Sequence, residues 1–88
     1  MSNYYVFLHP TVTRYLDSLK DEEKKRCYRS LKKLEENPLT PRTQCDIKTL
    51  SGKKRKAYRL MVGDHRFTYV IKEKEVYIRE GFRRGKGY

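Results

Sequence analysis

The spacing of apolar positions divides the chain into a helical stretch and a strand-rich stretch. Asn3 to Leu8 (NYYVFL) is β-branched and aromatic, which predicts a first strand. His9-Pro10-Thr11 stops it, and Pro10 suits the first turn of a helix, where its missing N–H costs nothing. Val12, Tyr15, Leu16 and Leu19 follow at i, i+3, i+4 and i+7, one helical stripe that ends near Lys20. Asp21 is the expected N-cap of a second helix, with Glu22 and Glu23 in its first turn, where the helix dipole favours acids. Cys27, Leu31 and Leu34 carry its stripe, Tyr28 lies beside it, and Asn37-Pro38 ends it. The two helices read as an antiparallel hairpin with one apolar side each.

Residues 38–46 form a loop without periodicity, and from Ile47 the period becomes two. Ile47 to Leu50 is a short strand, followed by a basic turn or loop, Ser51-Gly52-Lys53-Lys54-Arg55. Lys56 to Val62 and His65 to Lys72 alternate around Gly63-Asp64, a two-residue hairpin turn. A last strand runs from Val76 to Phe82. The expected class is α+β: an N-terminal strand, a helix hairpin, then antiparallel strands forming a sheet with the helices on one face. The whole chain, residues 1–88, reads as one domain.

Register decides which side chains share a face. With Gly63-Asp64 as the turn, Val62 pairs with His65 and Arg59 with Thr68, so Arg59 and Arg66 share a face. Tyr58, Leu60, Val62, Phe67 and Tyr69 take the other, under the helices. With Glu73-Lys74 as the next turn, Thr68 pairs with Arg79, which joins Arg59 and Arg66 together with Tyr77. Arg83 has the parity of Arg79 and continues that side. No acid shares this face within the strands, and Glu80 lands on the core side opposite Phe67. The helix-free face thus gathers Arg59, Arg66, Arg79 and Arg83. Guanidinium offers a planar fork of donors and keeps its charge, which suits phosphate.

The charge agrees with that reading. The chain has 22 Lys+Arg against 11 Asp+Glu, a net charge of +11. Residues 1–40 contribute +2 and residues 41–88 contribute +9, so a polyanion is expected on the second half. Eight Tyr and three Phe argue against a disordered basic tail. No apolar run approaches the roughly 20 residues that span a bilayer, and Asn3 to Leu8 is too short for a secretory signal. Cys27 and Cys45 form no metal-ligand cluster; two free thiols in a reducing cytoplasm are expected, with a single disulfide the other option. No zinc spacing, P-loop, dinucleotide loop or Ser/His/Asp arrangement appears, so neither metal nor cofactor is expected.

The run Tyr58-Arg59-Leu60-Met61-Val62-Gly63-Asp64-His65-Arg66-Phe67-Thr68-Tyr69 resembles the central strands of RelE-type toxins of toxin–antitoxin systems. The tail Gly81-Phe82-Arg83-Arg84-Gly85-Lys86-Gly87-Tyr88 resembles their closing motif, and Leu50-Ser51-Gly52 the motif before the first of these strands. The resemblance implies a RelE/ParE-like fold and a ribosome-dependent endoribonuclease that cleaves mRNA in the ribosomal A site and inhibits translation. It also implies a cognate RelB-like antitoxin as partner, besides the ribosome and mRNA, a cytoplasmic location and no membrane partner. By position it carries a functional role to Arg59, Arg66 and Arg83, and a base-stacking role to Tyr88. The family's two strand lysines correspond here to Ala57 and Arg59, and arginine is no base near neutral pH.

The reaction this implies is metal-free attack of an RNA 2′-OH on the adjacent phosphate. Arg59 and Arg66 would stabilise the phosphate charge, Arg83 would do so or position the leaving group, and Tyr88 would stack on a base. For the general base the candidates are Lys53, Lys54 and Lys56, with Lys56 taken first, since neighbouring cations lower a lysine pKa. Lys53, Lys54, Arg55, Arg79, Arg84 and Lys86 are assigned to RNA binding. His65 is expected to be structural. Three other readings stay open: a ParE-like DNA gyrase poison on the same fold, a non-catalytic basic protein bound to ribosomal RNA, and a toxin that has lost its activity, given Ala57 and Arg59 at the lysine positions.

Overall fold

The computed structural model describes residues 3–50 and 56–85. Strand β1 (Tyr5–Leu8) leads into helices α1 (Pro10–Asp17) and α2 (Asp21–Lys33), then strands β2 (Asp46–Leu50), β3 (Ala57–Val62), β4 (His65–Lys72) and β5 (Glu75–Arg83). The five strands form one sheet in the order β1-β5-β4-β3-β2. β1 lies parallel to β5, and the remaining neighbours are antiparallel. The expected α+β architecture is the observed one, with β1 placed on the outer edge beside β5.

Each helix begins and ends for a local reason. α1 starts at Pro10, and the Nδ1 of the N-cap His9 accepts a hydrogen bond from the Thr11 backbone N–H at 3.1 Å. It closes at Ser18, whose N–H bonds back to the Arg14 carbonyl. α2 is capped by Lys20 in extended backbone rather than by Asp21, which is already helical. Asp21, Glu22 and Glu23 still occupy the first turn, where they meet the positive end of the dipole. At the other end the Arg42 guanidinium reaches back to three carbonyls. It donates to Lys33 at 2.7 Å, Asn37 at 2.9 Å and Thr40 at 2.8 Å, closing the loop onto the helix terminus.

The helical stripes and one sheet face meet in a single core. Val12 and Leu16 from α1, Cys27 and Leu31 from α2 with Leu34 at its C-cap, and Leu60, Val62, Phe67, Tyr69, Val76 and Ile78 from the sheet are all buried. The Tyr69 hydroxyl donates to the Pro38 carbonyl at 2.7 Å, so its polar tip is satisfied inside the core. Cys27 and Cys45 are both buried free thiols. The tyrosines expected in or beside the core divide: Tyr4, Tyr15, Tyr58 and Tyr69 pack there, whereas Tyr5 and Tyr28 are exposed. Tyr5 alternates outward on β1, and Phe7, two residues on, stacks outside the core on Tyr77.

The β3–β4 register is the expected one, Val62 against His65 and Arg59 against Thr68, around Gly63 at φ +58°. The β4–β5 register starts as expected, with Ile71 against Val76 and Tyr69 against Ile78. It then shifts: Thr68 lies opposite Glu80, not Arg79, so β5 carries one extra residue. The cause is packing and hydrogen bonding at the start of α1. The His9 N–H bonds to the Ile78 carbonyl at 2.9 Å, and the Thr11 hydroxyl donates to the Arg79 carbonyl at 3.3 Å. A straight ladder would push the Glu80 carboxylate against buried Phe67, a costly desolvation. The bulge puts Gly81 there instead, beneath the Tyr15 and Phe67 rings.

Candidate functional site

Among the described residues, nothing covers the sheet face away from the helices. Arg59 stands in the middle of β3, with Lys48 of β2 and Thr68 of β4 as its cross-strand neighbours. Arg59, Thr68, Arg79, Glu80 and Phe82 line one groove on this face, with His9. Its volume of about 620 Å³ falls within the roughly 300–1,000 Å³ typical of ligand sites. The Thr68 hydroxyl donates to Glu80 Oε1 at 3.1 Å. Two guanidinium-bearing side chains from different strands thus share a groove with one carboxylate.

The remaining expected residues are distributed around it. Arg66 keeps its place on the open face, level with Met61 and Phe82, and is half-buried. Its Nη1 donates to the carbonyls of Gly63 at 2.7 Å and His65 at 3.1 Å, which holds the guanidinium over the β3–β4 turn. Arg83 is a correction to the expected placement. Because the bulge shifts parity, it pairs with His65 on the helix side, where its charge reaches the Tyr15 phenol. Glu80 moves the opposite way, and with Asp46 opposite Met61 and Glu75 opposite Lys72 the open face does carry acids. Lys56 is exposed and lines a separate groove with Tyr58, Lys72 and Tyr77, not the groove of Arg59. Arg84 is exposed in the turn after β5, its backbone N–H bonded to the Asp64 carbonyl at 2.6 Å. Lys53, Lys54, Arg55, Lys86 and Tyr88 lie outside the described residues.

Both histidines have structural work. His65 is 3% exposed and bridges three elements. Its Nδ1 lies 2.6 Å from the Tyr15 hydroxyl of α1 and its Nε2 3.4 Å from Glu23 Oε1 of α2. Burial raises the Tyr15 pKa above the usual phenol value, against the opposing charge of Arg83. His9 caps α1 through Nδ1. Glu80 is the groove residue that strand parity missed. Its signal was there: a carboxylate at an inward-facing position, followed by a glycine, marks a strand whose ladder must break.

The fold and the groove define a small α+β domain with arginines gathered on an open sheet face. No family model matches the chain, and no curated protein does. Solved structures do. A chain of the archaeal RelE–RelB complex from Pyrococcus horikoshii OT3 is 30% identical, with a TM-score of 0.81 over 97% of this chain and 99% of that one. A chain of the RelB–RelE antitoxin–toxin complex from Methanococcus jannaschii aligns at TM-score 0.69, 17% identity and 88% of each chain. The YoeB dimer from Staphylococcus aureus aligns at 0.68, 15% identity, 90% of this chain and 94% of that one. The last two likenesses concern the fold alone. On the first, the chain belongs to the RelE-type toxins of the RelE/ParE superfamily, the toxin side of type II toxin–antitoxin systems.

Proposed function

We propose that this toxin is a ribosome-dependent endoribonuclease that cuts mRNA in the ribosomal A site. The observation that carries the reading is the groove in which Arg59 of β3 and Arg79 of β5 stand together on an otherwise accessible sheet face. Attack of a 2′-OH on the neighbouring phosphate builds negative charge on the phosphoryl oxygens. Fixed guanidinium donors stabilise that charge more than they stabilise the ground state. Arg66 extends the cationic row toward the β3–β4 turn, and Arg83 acts from the end of β5, on the helix side. Lys53, Lys54, Arg55, Arg84 and Lys86 grip ribosomal RNA, a contact whose strength falls steeply with salt. The partner is a RelB-like antitoxin that covers this cationic face; the likeness to toxins solved with RelB supports it.

Primer extension on mRNA from a purified translation system tests the reading. The wild-type toxin is expected to leave codon-positioned 3′ ends. Arg59→Ala is expected to lower the cleavage rate by about 10²–10³-fold, the usual cost of one lost transition-state donor. Arg66→Ala and Arg83→Ala are expected to abolish growth arrest while the domain stays folded. Full toxicity in both variants would remove the two residues from the site. Broken DNA with intact mRNA would make the protein a gyrase poison instead.

A further inference from the structure

We propose that Glu80 is the general base that takes the proton from the RNA 2′-OH; the assignment rests on the ribonuclease reading above. That reaction needs a proton acceptor within reach of the arginines, and arginine itself does not deprotonate in proteins. The groove offers few alternatives. The Thr68 hydroxyl is already donating, to Glu80 Oε1 at 3.1 Å. His9 Nδ1 accepts the Thr11 backbone N–H at 3.1 Å, so the proton of its neutral ring sits on Nε2, which then only donates. Lys56 lines the other groove. Among the described residues Glu80 remains, as the carboxylate that lines the groove.

Its position is specific to this backbone. Without the extra residue in β5, Glu80 would point at Phe67 under the helices; with it, Glu80 stands opposite Thr68 on the open face. Bulges beside active sites commonly re-aim a side chain in this way. Thr68 orients the carboxylate through Oε1, and the other oxygen meets the substrate. Among the described residues, the charged and titratable groups that line the groove with it are Arg59 from β3, Arg79 from β5 and His9 at the head of α1. In the step, the 2′-OH proton passes to Glu80 and the 2′-oxygen bonds to phosphorus. The bond from phosphorus to the 5′-oxygen breaks, and that oxygen leaves with the electron pair and takes a proton from water. The products are a 2′,3′-cyclic phosphate and a free 5′-OH, and Glu80 returns its proton to solvent.

The experiment is single-turnover cleavage of mRNA on programmed ribosomes across a pH series, with the full chain and its Glu80→Gln and Glu80→Asp variants. Glu80→Gln keeps an acceptor for Thr68 and removes the base. Its rate is expected to fall at least about 100-fold, at the low end of general-base contributions. Ribosome binding and the circular dichroism spectrum stay as in wild type, and the acid limb of the pH–rate profile vanishes. Glu80→Asp is expected to keep that limb at a reduced rate. A Glu80→Gln rate within threefold of wild type at every pH would overturn the assignment and leave Glu80 as charge balance for Arg59 and Arg79. Wild-type protein that cuts no mRNA on ribosomes would instead overturn the ribonuclease reading, and the base with it.

Discussion

Gly81→Ala tests the bulge on which the site depends. A Cβ at Gly81 would lie 3.0 Å from Phe67 Cε1, 3.1 Å from Phe67 Cδ1 and 3.2 Å from Tyr15 Cδ2. Phe67 is fully buried, and its ring packs edge-on against the half-buried Tyr15 ring at 6.0 Å, so the Phe67 ring has little room to give way. Overpacking of this kind costs about 1–3 kcal/mol. The loss of glycine freedom in the unfolded chain returns about 0.4–1 kcal/mol. The net expectation is a destabilisation of about 0–2.6 kcal/mol, centred on about 1.3 kcal/mol. For a domain of this size that central value lowers the melting temperature by roughly 5–10 °C. Thermal and urea melts of the purified chain measure it. Phe67→Leu, which vacates ring volume, is expected to couple with Gly81→Ala, so the double variant is less unstable than the two effects added. In an unbulged ladder Gly81 would face solvent beside Arg79, and alanine would be neutral or slightly stabilising. A melting temperature at or above wild type would therefore refute the register, and with it the open-face position of Glu80.

Two further expectations concern the interior. Tyr15→Phe removes the hydroxyl that lies 2.6 Å from buried His65, leaving that nitrogen without its partner. A loss of about 1–3 kcal/mol is expected in urea titrations, and a loss below about 0.3 kcal/mol would show that His65 does not need the contact. Burial pushes the Cys27 thiol from the ordinary 9.0 up to about 11. The folded state thus holds the proton more tightly than the unfolded chain. That contribution is complete below the unfolded pKa and is lost as pH rises toward about 11. Between those limits the wild type should lose stability more steeply than Cys27→Ala in denaturant titrations at stepped pH; parallel slopes would contradict the burial argument.

Much of this could be read from the chain alone, for one reason: the controlling contacts are local. The stripes Val12–Leu16 and Cys27–Leu31–Leu34 are set by helical periodicity, and all five residues are core. Gly63-Asp64 sets a two-residue turn, and a turn of fixed length sets the parity of both flanking strands. The faces of Arg59 and Arg66 follow from it and are observed.

The exchange of Glu80 and Arg83 between faces is signalled locally only by an inward-facing carboxylate before Gly81; its cause lies elsewhere in the fold. It depends on Tyr15 and Thr11 of α1 meeting β5 across the fold. One packs over Gly81 and the other holds the Arg79 carbonyl. Alternation carries each strand only as far as its ladder stays regular. Whether an extra residue enters is decided by which choice avoids burying a carboxylate against Phe67, and that cost exists only once the helix lies on the sheet. The chain therefore settles its elements and the arginine-bearing face of β3 and β4 by local pattern. Tertiary packing settles that Glu80 joins Arg59 in the groove, and so what chemistry the groove can hold.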